Sequence, residues 1–184
     1  MRVSILGSGD ISRICRHTNM KEEEVYNLLK DVGKILAKFK AEVVIIPDRG
    51  VPYLVAKFYK EYGGKKVIGL IPPESDKFGI EHLKPQLHVI DEKREVESWY
   101  HADGEIAASG DIALCIGFSA GAMRDLTALK FHRKFFGCKT KIVIFEKTVS
   151  ARLHPEVEEV LDVVYINETS ELEDILRNMY ARNV

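Results

Sequence analysis

Val3-Ser4-Ile5-Leu6-Gly7-Ser8-Gly9-Asp10 opens the chain with a short apolar run that breaks into a glycine turn. The pattern recurs twice. Val43-Val44-Ile45-Ile46 leads into Pro47-Asp48-Arg49-Gly50, and Ile112-Ala113-Leu114-Cys115-Ile116 leads into Gly117-Phe118-Ser119-Ala120-Gly121. Apolar runs of this kind, ending in glycine turns and followed by helical patterns, belong to strands covered on both faces, the hallmark of a parallel α/β sheet. In such a sheet every strand's carboxyl end lies along one edge, so three loops of this type converge on one crevice. The fold class that follows is α/β: a single doubly wound, mainly parallel sheet with helices on both faces.

The segments between the loops agree with that reading. Val25, Leu28, Leu29, Val32, Ile35, Leu36 and Phe39 recur at helical spacing, predicting a helix over Lys21–Phe39, with Glu22, Glu23 and Glu24 suited to its positive N-terminal end. Further helices are predicted at Pro52–Tyr62, Glu95–Ser109, Ala120–Phe136 and Ser170–Ala181, the last with Ser170 and Glu173 as a capping box. Strands are expected at Val3–Leu6, Glu42–Ile46, Lys66–Ile71, Ile112–Ile116, Lys141–Phe145 and Val163–Ile166. Gly7–Asn19 reads as a polar and basic loop. The segment Pro72–Lys93, interrupted by prolines and Gly79, reads as a lid or dimer arm with a short extra strand at Leu87–Ile90.

Composition narrows the function classes. The 184 residues carry 27 basic and 28 acidic side chains, a formal charge of -1, so no global field draws the chain to nucleic acid or to an anionic membrane. Lys130, Arg133, Lys134, Lys139 and Lys141 still allow a local basic patch. Cys15, Cys115 and Cys138 are widely spaced, which fits a reducing, cytoplasmic setting. The first apolar run is too short for a signal-peptide core, and no stretch approaches the roughly 20 apolar residues of a membrane span. His17, His82, His88, His101, His132 and His154 show no metal-ligand spacing, so no metal site is expected.

Each loop carries residues suited to a phosphate. At Gly7, Ser8 and Gly9 the main-chain N–H groups can approach an anion, with Asp10 beside them; the alternative is a purely structural strand-to-helix turn. Arg49, next to Gly50, can clamp a phosphate with its planar fork; the alternative is a surface pair with Asp48. Gly117, Ser119, Ala120 and Gly121 form the second phosphate-loop candidate. Asp125, one turn into the following helix, either faces the crevice as a ribose ligand or catalytic base, or is a solvated acid favoured by the helix dipole. Trp99-Tyr100-His101 either stacks on a base or packs in the core.

The order of these motifs resembles the Rossmann-like superfamily of the Lonely Guy and lysine-decarboxylase-like proteins, which also includes the molybdenum cofactor carrier protein and the DNA-processing protein DprA. The likeness covers roughly Arg2 to Phe145. In the phosphoribohydrolase branch the second loop is Gly-Gly-Arg-x-Gly-Val, and here it is Pro47-Asp48-Arg49-Gly50-Val51. The third is Pro-Gly-Gly-x-Gly-Thr-x-x-Glu, aligned with Gly117 through Asp125. Only Gly121 is identical, and Asp125 stands for the catalytic glutamate. The branch's arginine before this strand has no counterpart in Tyr100-His101-Ala102-Asp103. The resemblance implies a Rossmann-like nucleotide-binding domain over residues 1–184 that pairs as a homodimer through helices near the site.

Three functions follow as expectations. The first is a non-catalytic carrier or sensor of a phosphate-bearing nucleotide or nucleotide-derived ligand, which explains the missing catalytic groups. The second is a divergent nucleoside-monophosphate hydrolase in which Asp125 stabilises positive charge developing on the sugar. The third is a single-stranded nucleic-acid module, disfavoured by the neutral overall charge. The sequence specifies no cofactor beyond a nucleotide-like ligand.

Overall fold

The computed structural model describes residues 1–181. Strand β1 (Arg2–Gly7) is followed by helices α1 (Ile11–His17) and α2 (Glu22–Lys38), then β2 (Glu42–Ile45), α3 (Val51–Glu61) and β3 (Val67–Ile71). A 3-10 turn at Lys84–Val89 leads to β4 (Glu92–Glu95), α4 (Trp99–Glu105) and a second turn at Ala107–Ser109. The chain continues through β5 (Ile112–Ile116), α5 (Ala120–Phe136), β6 (Lys141–Phe145), α6 (Pro155–Glu158), β7 (Val163–Ile166) and α7 (Thr169–Ala181).

The seven strands form one sheet in the order β4-β3-β2-β1-β5-β6-β7, and every pairing is parallel. The chain winds outward from β1 to β4, then crosses back to place β5 on the other side of β1. That reversal lies between β1 and β5, where a parallel sheet opens a crevice beyond its carboxyl ends. Side chains of the central strands alternate between two cores. Val3, Ile5, Val43, Ile45, Leu114 and Ile116 pack with Val25, Leu29, Val32 and Leu36 of α2 and with Leu172 and Leu176 of α7. Leu6, Val44, Ala113 and Cys115 pack on the opposite face with Ala102, Ile106, Leu126 and Leu129, under α4 and α5.

Four local expectations need correction. The loop expected over Gly7–Asn19 contains α1, because the Asp10 carboxylate accepts from the Ser12 N–H at 3.0 Å and Ile14 is buried. The basic residues that made this stretch look like loop lie on its solvent side. Leu87–Ile90 is not a strand, since a 3-10 turn with Pro85 in its first positions occupies it; the edge strand is Glu92–Glu95, which carries no apolar signal and pairs with β3 through its backbone. The helix expected over Glu95–Ser109 begins only at Trp99, where the Ser98 hydroxyl accepts from the His101 N–H. The Ser170–Glu173 capping box is absent. Glu171 instead accepts from the N–H groups of Asn167 and Glu168, both at 2.8 Å, and Glu173 pairs with Lys38.

Among the described residues, no helix is long and apolar enough to cross a membrane.

Candidate functional site

The first two loops are locked together through their backbones. Gly50 has φ +80°, and a Cβ there would lie 2.4 Å from the Ser8 carbonyl oxygen and 2.6 Å from the Gly9 Cα, so only glycine fits. The Val51 N–H donates to that same Ser8 oxygen at 3.0 Å. Gly7 answers a second close approach, since its Cβ would come within 2.3 Å of the Ile116 carbonyl oxygen. Ser8 is buried, its hydroxyl donating to the Asp10 carbonyl at 2.7 Å and holding the turn. These constraints set Gly9 beside Asp48 and Arg49. Arg49 is exposed, and its own N–H donates to the Asp48 carboxylate at 2.8 Å. Among the described residues its guanidinium forms no ion pair with Asp48 or any other acid.

The third loop opens α5. The Ser119 hydroxyl accepts from the Ala122 N–H at 3.1 Å, which caps the helix and leaves the N–H groups of Ala120 and Gly121 without a carbonyl ahead of them. Gly117 is tied down behind the loop, its N–H donating to the Thr148 hydroxyl at 2.9 Å. The three loops meet around a cleft of about 260 Å³ lined by Gly7, Gly9, Asp48, Arg49, Ser119, Gly121 and Asp125, with Ile5, Leu6, Ile46, Pro52, Trp99, Asp103, Ile106 and Ala122 completing the wall. A shallower lobe continues from it past Asp48, Trp99 and Asp103 to Phe78, His82 and Arg124.

Of the three carboxyls that line this cleft, Asp103 and Asp125 have raised pKa values. Asp125 is 9% exposed, and neither of its oxygens makes a hydrogen bond among the described residues; Oδ1 is fully enclosed. Burial pushes its carboxyl up to about 8, with the nearby Asp103 adding to the rise and Arg124 opposing it. Asp103 is itself raised by burial, against the pull of Arg124, whose Nη1 lies 2.9 Å from its Oδ2. Arg124 also lies over the Tyr100 ring, 4.7 Å from its centroid. Burial therefore favours the protonated form of Asp125 over the solvated first-turn acid that the helix dipole would favour.

Of the residues singled out in the sequence, the cleft gathers Gly7, Gly9, Arg49, Ser119, Gly121 and Asp125. It does not gather Asp10, which caps α1, nor the buried Ser8, nor Gly50, Gly117 and Ala120, which support its walls from behind or outside. Trp99, which the sequence offered as a base-stacking or core residue, lines it too, together with Asp103, which the sequence did not single out. They sit four apart on α4 and so share a face, and the helix start at Ser98 is the signal that sets their register. Trp99 is neither core nor free: its Nε1–H donates to the Gly79 carbonyl at 2.9 Å, and His82 stacks on it at 5.2 Å. Among the described residues no group of three or more His, Cys, Asp or Glu side chains is placed to hold a metal ion.

No family model and no curated protein matches the sequence. Solved structures do. The molybdenum cofactor carrier protein of Chlamydomonas reinhardtii superposes with a TM-score of 0.67 over 97% of both chains at 17% identity. A second structure of the carrier protein from that alga gives 0.64 over 98% of this chain and 97% of that one, also at 17% identity. The chain has the fold of the molybdenum cofactor carrier proteins. A structural-genomics target, TM1055, superposes on this chain with a TM-score of 0.66 at 17% identity, over 97% of this chain and 99% of that one. The Rossmann-like architecture expected from the sequence resemblance is the one found.

Proposed function

We propose that the chain binds a phosphate-bearing nucleotide or nucleotide-derived molecule in this cleft and holds it without cleaving it, as a carrier or sensor. One observation carries the reading: an arginine without an acid partner among the described residues and the N-terminal end of α5 at Gly121 border one cleft whose buried carboxyl has no hydrogen-bond partner. Arg49 and the N–H groups of Ala120 and Gly121 supply the positive potential that a phosphate needs. The ligand's phosphate lies against Ser119–Gly121 under Arg49, away from Asp103 and Asp125. Glycosidic cleavage needs an ionised carboxylate beside the sugar to meet developing positive charge, and burial works against that form of Asp125.

The molybdenum cofactor carrier proteins give the reading a precedent in the same fold. We place the protein in the cytoplasm. A second copy of the chain covers the outer face of α5, where Phe131, Phe135 and Phe136 are 60%, 65% and 78% exposed. That face favours self-association over nucleic acid, because Arg133 is drawn inward to the Thr140 carbonyl at 2.7 Å and leaves the basic patch.

Calorimetric titration with AMP and with inorganic phosphate tests the ligand class. Arg49→Ala removes a charge-assisted contact and weakens both by roughly ten- to a hundredfold while leaving the melting temperature unchanged. Equal affinity in the variant contradicts the assignment of the phosphate to this cleft.

A further inference from the structure

We propose that Asp125 is the ligand-selecting group of the cleft interior: its carboxyl hydrogen-bonds the donor–acceptor edge of a nitrogen heterocycle. The proposal rests on the reading of the cleft as a nucleotide-type site and goes on to say which part of the ligand lies where.

The geometry makes the division. Ile46 and Pro52 give the cleft its accessible apolar wall, and Trp99 adds a ring pinned by its hydrogen bond to Gly79 and by His82. A flat heterocycle fits such walls, whereas a phosphate, which needs donors and positive potential that apolar side chains and Asp103 do not supply, does not. The phosphate is thereby sent to the α5 N-terminus and the ring to the interior. There the polar side chain that is nine-tenths buried and without a partner is Asp125. An unpartnered buried carboxyl is costly in the empty protein, and a ligand that supplies the missing hydrogen bonds removes that cost.

A neutral carboxylic acid offers one donor and one acceptor side by side. It therefore pairs with an edge that presents one acceptor and one donor, such as N1 and the exocyclic amine of adenine. The charged form, an acceptor only, would face the ring nitrogen lone pair and repel it. The groups that set the proton are Asp103 from α4, which favours its retention, and Arg124 from α5, which opposes it but is engaged with Asp103 at 2.9 Å. The Cys115 thiol below, on β5, is fully buried and keeps its own proton; Asp48 and Arg49 border the same cleft from the second loop. Ligand binding through this edge is consequently linked to pH, weakening as Asp125 ionises.

The test is the affinity for AMP and for inorganic phosphate between pH 7.5 and 9.5, above the second ionisation of both probes, each affinity being expressed per dianion, with folding followed by circular dichroism. The expected result is a loss of AMP affinity of about tenfold across this range, with phosphate affinity nearly constant. Asp125→Asn, which keeps a donor and an acceptor, binds AMP with no such loss. Asp103→Asn moves the midpoint of the loss to lower pH, an effect that a purely structural role would not produce. AMP affinity that is flat with pH in the native protein, or a loss that survives in Asp125→Asn, overturns the inference while phosphate binding keeps the proposed function standing. Binding of neither probe overturns both.

Discussion

Replacing Asp125 by asparagine stabilises the protein at neutral and alkaline pH but not in acid. The carboxyl's ordinary value is 3.8, and in the folded chain burial and Asp103 lift it to about 8. Between those values the unfolded chain has released its proton while the folded chain still holds it, so stability falls as pH rises from about 4 to 8 and then levels off. Each pH unit in that window costs about 1.4 kcal/mol, which sets a ceiling of about 4 kcal/mol at pH 7. Relaxation of the cleft and entry of water lower that ceiling, and the asparagine amide keeps an unpaired buried group of its own, leaving a net gain of about 1–3 kcal/mol. Urea unfolding of both proteins at pH 4.5, 7 and 8.5 measures the difference directly. Taking the difference at each pH cancels paired surface carboxylates such as Glu146, which destabilise both proteins alike in acid. A difference that stays constant across the three values, or an asparagine variant weaker at pH 8.5, would show that Asp125 is not a buried neutral acid.

The glycines of the site divide into two classes with opposite outcomes. Gly121→Ala places a Cβ in the first turn of α5 with its nearest neighbour, the Ser119 hydroxyl, at 3.7 Å, so thermal denaturation should show a gain of about 0.5–1 kcal/mol, while phosphate affinity falls as the methyl enters the cleft. Gly50→Ala meets a positive φ and a carbonyl oxygen at 2.4 Å, and should cost more than about 1 kcal/mol in the same assay. Phe135→Glu puts a charge into the exposed aromatic face of α5; sedimentation velocity should show a dimer in the parent and a monomer in the variant, with the fold unchanged.

Much of the sheet was legible because its strands are written in apolar runs that admit one reading. Ile112–Ile116, Ala120–Phe136, Lys141–Phe145 and Val163–Ile166 fall where their patterns predict. The misreadings share a cause. Glu92–Glu95 is an edge strand held by backbone pairing to β3, and its Glu-Lys-Arg-Glu sequence carries no periodic signal to find. Displacing it also displaced α4, and with it the register that brings Trp99 and Asp103 into the cleft. The glycines were conspicuous, but type alone does not separate those that open space for a ligand from those that let two backbones meet. Gly9 and Gly121 border the cleft with room for a methyl, whereas Gly7 and Gly50 are required by carbonyl oxygens of the chain itself. Asp125 could be read either as a crevice-facing ligand or base or as a solvated helix-start acid, and its burial beside Asp103 decides against the second.

The claim that the cleft holds its ligand intact is tested most directly by incubating the protein with a panel of nucleoside monophosphates and separating the products by chromatography. The account predicts that every nucleotide is recovered whole, with binding that depends on Arg49. Release of free base that disappears in Asp125→Asn would contradict it, and would make Asp125 the catalytic group of a divergent nucleotide hydrolase.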